Sequence, residues 1–173
     1  MKNNGNEIKR KIKDYGSDIL GSTWYKKAFS QTHHGKTSVG RHSIRVAEET
    51  LKVCALLSRL GISVDEKIAV RAALLHDLGI LGRDQKFSSQ YEMSRRHPLE
   101  SLVVAKEFEP HIDERIEQAI TRHMFPVFSK PPTKAEAIAV CIADKVASVR
   151  DIVQKNETFK KSRGSKHEIS GYY

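Results

Sequence analysis

The run Ile68-Ala69-Val70-Arg71-Ala72-Ala73-Leu74-Leu75 is apolar enough to demand burial, and it ends in an imidazole and a carboxylate, His76-Asp77. Leu78-Gly79 then breaks it. A helix of that composition carries its last residues into a core. Burying those two polar groups without partners costs several kcal/mol each, roughly, so something must satisfy them. A divalent cation does so directly, because neutral imidazole and ionised carboxylate are both good ligands. The pair therefore constrains the fold: other elements must bring further ligands to the inner end of this helix.

Helical periodicity dominates the rest of the chain and strand alternation is almost absent. Ile8, Ile12, Tyr15 and Ile19 share one face of an N-terminal amphipathic helix, and residues 22–29 predict another. A long helix is predicted over 38–60, with Val39, His42, Val46, Val53, Leu56, Leu57 and Leu60 facing inward and Gly61 stopping it in a left-handed conformation. Ser63 and Glu66 have the spacing of a capping box for the helix that ends at His76. The polar segment 83–96 reads as a loop and one wall of a pocket, and its polarity suggests a polar substrate. His97-Pro98 reads as a helix start, with the proline in the first turn. A helix over 112–123 follows, and Thr133 with Glu136 predicts a second capping box opening a last helix over 135–153. The organisation expected is an N-terminal helical extension (1–30), one all-α domain (31–154) and a polar tail (155–173).

With 173 residues the chain is long enough for one real core, and 29% charged residues indicate a soluble surface. No apolar stretch is long enough to span a bilayer, and the N-terminus lacks a signal-peptide apolar region, so a cytoplasmic location is expected. Cys54 and Cys141 lie in apolar helical stretches and read as buried reduced thiols. The net charge of +9 gathers toward the ends, as in Lys9-Arg10-Lys11 and Lys160-Lys161. These runs lack interleaved aromatics, so they read as a solvated basic surface, with nucleic acid the less favoured partner.

Two further misfits complete the pattern. His42 stands mid-helix on an apolar face, and Asp144 does so within Ala137-Ile138-Ala139-Val140-Cys141-Ile142-Ala143-Asp144. Three helices each present an ionisable residue on a buried stripe. Converging, His42, His76, Asp77 and Asp144 form a ligand set suited to Mn, Fe, Mg or Zn, with positions left for water and substrate.

The ordered set His…His-Asp…Asp on successive helices resembles the HD-domain superfamily of metal-dependent phosphohydrolases, over about residues 32–153. His33-His34-Gly35 with Thr37-Ser38-Val39, and Arg122-His123-Met124-Phe125-Pro126, are similar to segments of a bacterial subgroup of small HD proteins. The resemblance implies an all-α, single-domain HD-type helical bundle with a central metal site. It implies that His42, His76, Asp77 and Asp144 bind a first metal, and that His97 and His123, taken as rim positions, serve a second. The cofactor expected is one or two divalent ions per chain (Mn, Fe, Mg, Ni, Co or Zn). The implied reaction is hydrolysis of a phosphate ester or nucleotide by metal-activated water, with Asp77 accepting the water proton and Arg45, Lys145, Arg122 and His34 as candidate substrate contacts. Many two-metal phosphodiesterase members carry a lysine where this chain has Ile80, which counts against cyclic-dinucleotide cleavage. The competing readings are a di-iron HD-type oxygenase and a non-catalytic nucleotide-sensing module.

Overall fold

The computed structural model describes the backbone of residues 2–32 and 37–167 and the side chains of residues 5–32 and 37–153. Among these residues every regular element is helical. In chain order they are α1 (Lys2–Leu20), α2 (Thr23–Ser30), α3 (Val39–Arg59), α4 (Glu66–Leu75), a 3-10 turn (Leu78–Ile80), α5 (Arg83–Lys86), α6 (Gln90–Phe108), α7 (Glu114–Arg122) and α8 (Ala135–His167). No described helix is long and apolar enough to cross a membrane.

α4 is the axle of the bundle. Ala72, Ala73, Leu74 and Leu75 are all fully buried, and α1, α3, α7 and α8 pack around α4. α3 lies along both α4 and α8. Its buried residues Val39, His42, Ser43, Val46, Ala47, Thr50, Leu51 and Cys54 recur at the three- and four-residue spacing of one helix face. Leu56 and Leu60, expected inward, are exposed, whereas Val53 and Leu57 pack against Cys54, Ala69 and Ala139. Gly61 does take the left-handed conformation, at φ 79°, and Cys54 and Cys141 are free and buried.

The caps and element bounds differ from expectation in several places. Asp65, not Ser63, caps α4, its carboxylate accepting from Ile68 N. Glu136 does not close a box with Thr133 but accepts the Asp65 N–H, tying the start of α4 to α8. The N–H groups of Thr133 and Lys134 go to Gln118 Oε1 instead. The segment 83–96 is helical rather than a loop: α5 is one short turn, and α6 begins at Gln90. Ser89 caps α6 by accepting from Glu92 N, while the Glu92 carboxylate takes the Ser88 N–H and hydroxyl. Pro98 therefore lies inside α6, not in its first turn. α8 also runs beyond 153, its backbone helical to His167, through residues such as Lys155, Glu157 and Lys160 that favour helix.

One close approach positions α6. A Cβ on Gly79 would lie 2.3 Å from Ser101 N and 2.4 Å from His97 O. With hydrogen there, the 3-10 turn presses directly on the α6 backbone, and Gly79 N donates to Ser101 Oγ at 2.9 Å. That contact places the His97 turn beside Asp77.

Candidate metal centre

Six side chains meet where α3, the end of α4, α6, the end of α7 and α8 converge. His42, His76, Asp77, His97 and His123 are each at most 3% exposed, and Asp144 is 9% exposed. His97 and His123 are thus core residues, not the rim positions expected of them. His97 is interior because α6 starts seven residues before it; His123 is interior because it is the C-cap of α7, pressed against α8.

Each imidazole is oriented from behind. His76 Nδ1 donates to Ala73 O at 2.8 Å, His97 Nδ1 to Met93 O at 2.9 Å, and His123 Nδ1 to Ile120 O at 2.6 Å. His42 Nδ1 donates to Asp151 Oδ2 at 2.8 Å. Carbonyls and carboxylates only accept, so the proton of each neutral ring sits on Nδ1. All four Nε2 lone pairs then point into one central space.

Asp77 divides that space. Its Oδ2 lies 3.3 Å from His76 Nε2 and 3.7 Å from His42 Nε2. Its Oδ1 lies 3.3 Å from His97 Nε2 and 3.6 Å from His123 Nε2. Asp144 Oδ1 joins the first group, 3.2 Å from His42 Nε2 and 3.8 Å from His76 Nε2. Two triads have the compactness of a cation site: His42, His76 and Asp144, and His76, Asp77 and His123.

The donor chemistry fits a bound cation. His76 Nε2 is buried without a hydrogen bond of ordinary geometry. His97 Nε2 and His123 Nε2 face each other at 2.9 Å, and with both protons on Nδ1 these are two lone pairs in repulsive contact. A positive centre between them removes the conflict. Burial lowers the His76 pKa, but Asp77 and Asp144 outweigh it and raise the group to about 10. The two carboxylates thus hold a positive charge against His76, and a divalent ion satisfies the same demand. Burial, reinforced by His76 and His97, pushes His123 down to about 3, keeping it neutral as a ligand must be. Burial raises Asp144, but its contacts with His42 and His76 prevail and hold it well below the usual carboxylate range.

Asp151 escaped the sequence reading. It is 3% exposed, on α8 seven residues past Asp144 and so on the same face. It receives the His42 proton and pairs through its other oxygen with Arg45. The i, i+7 recurrence of aspartate on one helix was the available signal. A carboxylate behind a ligand histidine fixes its tautomer and raises its basicity. Asp151→Asn is expected to weaken metal binding roughly 10–100-fold with the helical fold retained, measured by competition with a chelating dye. Wild-type affinity in that variant would remove the orienting role.

The expected substrate contacts separate. Lys145 Nζ donates to His123 O and lies 3.3 Å from Asp144 Oδ2, on the wall of a cavity of about 420 Å3 that opens onto Asp77, His97, His123 and Asp144. Arg45 sits behind His42 on Asp151. Arg122 donates to Pro131 O and lines a separate shallow groove with Arg95, Phe128 and Lys130. His34 lies outside the described residues.

Comparison with known proteins agrees with this geometry. Residues 39–148 match the family model described as the HD domain. The chain is 30% identical over 137 residues to ribonuclease Y of Oleidesulfovibrio alaskensis, covering 79% of this chain and 22% of that protein, so it spans about a fifth of its relative's length. No solved structure matches the chain. The family match runs from the first turn of α3 into α8, across every segment that delivers one of the six convergent side chains, and the chain belongs to the HD-domain family.

Proposed function

We propose that this protein is a metal-dependent phosphohydrolase with a dinuclear site, cleaving a phosphate ester at the cavity floor formed by Asp77, His97, His123 and Asp144. The observation that carries the reading is the shared orientation of four imidazoles around Asp77, whose two oxygens face two separate groups of Nε2 atoms. HD-domain proteins are typically metal-dependent phosphohydrolases, and the ribonuclease Y similarity is compatible with hydrolysis at phosphorus.

His42, His76 and Asp144 would hold one ion, His97 and His123 the other, with Asp77 between them. Divalent ions held there supply the Lewis acidity that makes water nucleophilic near neutral pH and neutralises charge on a phosphoryl oxygen. Asp77, which borders the cavity, takes the proton of the attacking water. As the water oxygen bonds to phosphorus the ester P–O bond breaks, and the departing oxygen regains a proton, giving alcohol and phosphate. Lys145 donates to a non-bridging oxygen as a charge-assisted hydrogen bond. Ile80, 1% exposed and on the cavity wall, offers no charge there.

The test is metal analysis of the purified protein beside a screen of phosphorylated metabolites with Mn, Mg, Co, Ni and Fe. Two ions per wild-type chain and one in His97→Ala, with phosphate released by wild type, are the expected results. Oxygen consumption without phosphate release would replace the hydrolase with an oxygenase, and one ion in both proteins would replace the dinuclear site with a mononuclear one.

A further inference from the structure

We infer that the ester taken by this site carries a single phosphoryl group on a compact apolar body, aromatic or branched aliphatic; the inference rests on the phosphohydrolase reading and specifies its substrate. α8 carries the argument. Asp144 stands at the cavity floor, followed by Lys145 and Ser148, then Val149 and Ile152, all lining the same cavity. The i, i+4 and i+8 steps keep Asp144, Ser148 and Ile152 on one side of the helix. Along that ladder the chemistry passes from metal ligand, to phosphoryl donor, to hydrocarbon. At 1.5 Å per residue, Asp144 to Ile152 spans roughly 12 Å, the length of a small phosphate ester rather than a polymer.

The rest of the lining has the same composition. Besides His97 and His123 it includes Ser94 with Met93, Phe125 and Val127. Val127, Val149 and Ile152 are 71%, 60% and 54% exposed. Three large apolar side chains ring the mouth of a cavity that holds the buried donors, and their shared cover is a ligand's apolar part. Residues 83–96 give this wall Gln90, Met93 and Ser94 from α6, so their polar groups lie beside the Met93 thioether.

The supply of cations limits the phosphoryl count. Among the described residues Lys145 is the only cation lining this cavity besides the imidazoles of the floor. Arg45 is paired with Asp151, Arg150 with Glu49, and Arg83, in an adjoining recess, lies 3.6 Å from Asp84. Arg95, Arg122 and Lys130 line the separate groove. Beside Val127, Val149 and Ile152 a second or third phosphoryl group would meet no cationic side chain among the described residues other than Lys145. A polynucleotide needs cations that follow its backbone, and among the described residues this cavity offers Lys145 alone.

The experiment compares kcat/KM of the metal-loaded protein for phenyl phosphate, methyl phosphate, adenosine triphosphate and a pentaribonucleotide. It also compares binding of the non-hydrolysable phenylphosphonate and methylphosphonate by calorimetry. Phenyl phosphate is expected to exceed methyl phosphate by roughly tenfold or more and to exceed both polyanions. Val149→Asp and Ile152→Asp are expected to collapse the phenylphosphonate-to-methylphosphonate binding ratio toward one and to lower the phenyl-to-methyl kcat/KM ratio by the same factor, the remainder being the better leaving ability of phenolate, while metal affinity stays at the wild-type value. Preference for the triphosphate or the oligonucleotide, or a ratio unmoved by both variants, overturns the inference. The phosphonates separate it from the reading beneath it. Tighter phenylphosphonate binding that Ile152→Asp removes, with no ester hydrolysed, keeps the ligand class and discards the hydrolase. Hydrolysis without apolar preference does the reverse.

Discussion

Asp77→Ala is expected to abolish metal binding and to lower phosphate release on the order of 10^3-fold or more. Asp77 is the one side chain that approaches all four Nε2 atoms, between 3.3 and 3.7 Å. In the proposed dinuclear site its loss would remove a ligand from both ion positions and the proton acceptor together. Asp77→Asn separates the charge from the shape: the amide fills the same volume but offers a weaker donor and no base, so activity falls nearly as far while the fold stays intact. His76→Ala is expected to behave like Asp77→Ala. Elemental analysis, steady-state turnover and circular dichroism on the three variants decide the matter. Wild-type turnover in any of them sinks the site.

Gly79→Ala is expected to destabilise the protein by about 3 kcal/mol or more and to cost it the ion proposed to bind at His97. The new methyl would stand 2.3 Å from Ser101 N, 2.4 Å from His97 O and 2.8 Å from Glu100 C. These are backbone atoms of a nineteen-residue helix, so no rotamer change relieves the overlap. α6 would have to shift as a body, carrying His97 off the Asp77 oxygen it faces at 3.3 Å. Urea denaturation measures the first effect and metal counting the second. A midpoint equal to wild type with two ions retained would show that the turn and α6 are not pressed together as described.

The contrast between these two residues shows how far the sequence could be read. Asp77 is conspicuous in the chain because a carboxylate beside an apolar run violates burial chemistry, and His42 and Asp144 stand out for the same reason. Gly79 reads from sequence only as a chain breaker. Its role as a contact surface depends on Ser101 in α6, 22 residues further on. His97 reads from sequence as a helix start because Pro98 is a strong local signal, whereas Ser89, accepting from Glu92 N, opens the helix before it. Asp151, close to the end expected for its helix at 153, reads as a solvated aspartate until its partners are known.

Composition and period determined the all-helical class, the buried run of α4 and the ionisable residues that could not lie in a core unaccompanied, because each follows from transfer energies that act residue by residue. The tertiary structure alone decided which of those residues share a space, that His97 and His123 are interior, that Arg45 serves Asp151 rather than the cavity, and that the cavity mouth is hydrocarbon. These depend on how rigid helices pass one another, a relation between distant segments that no local pattern encodes.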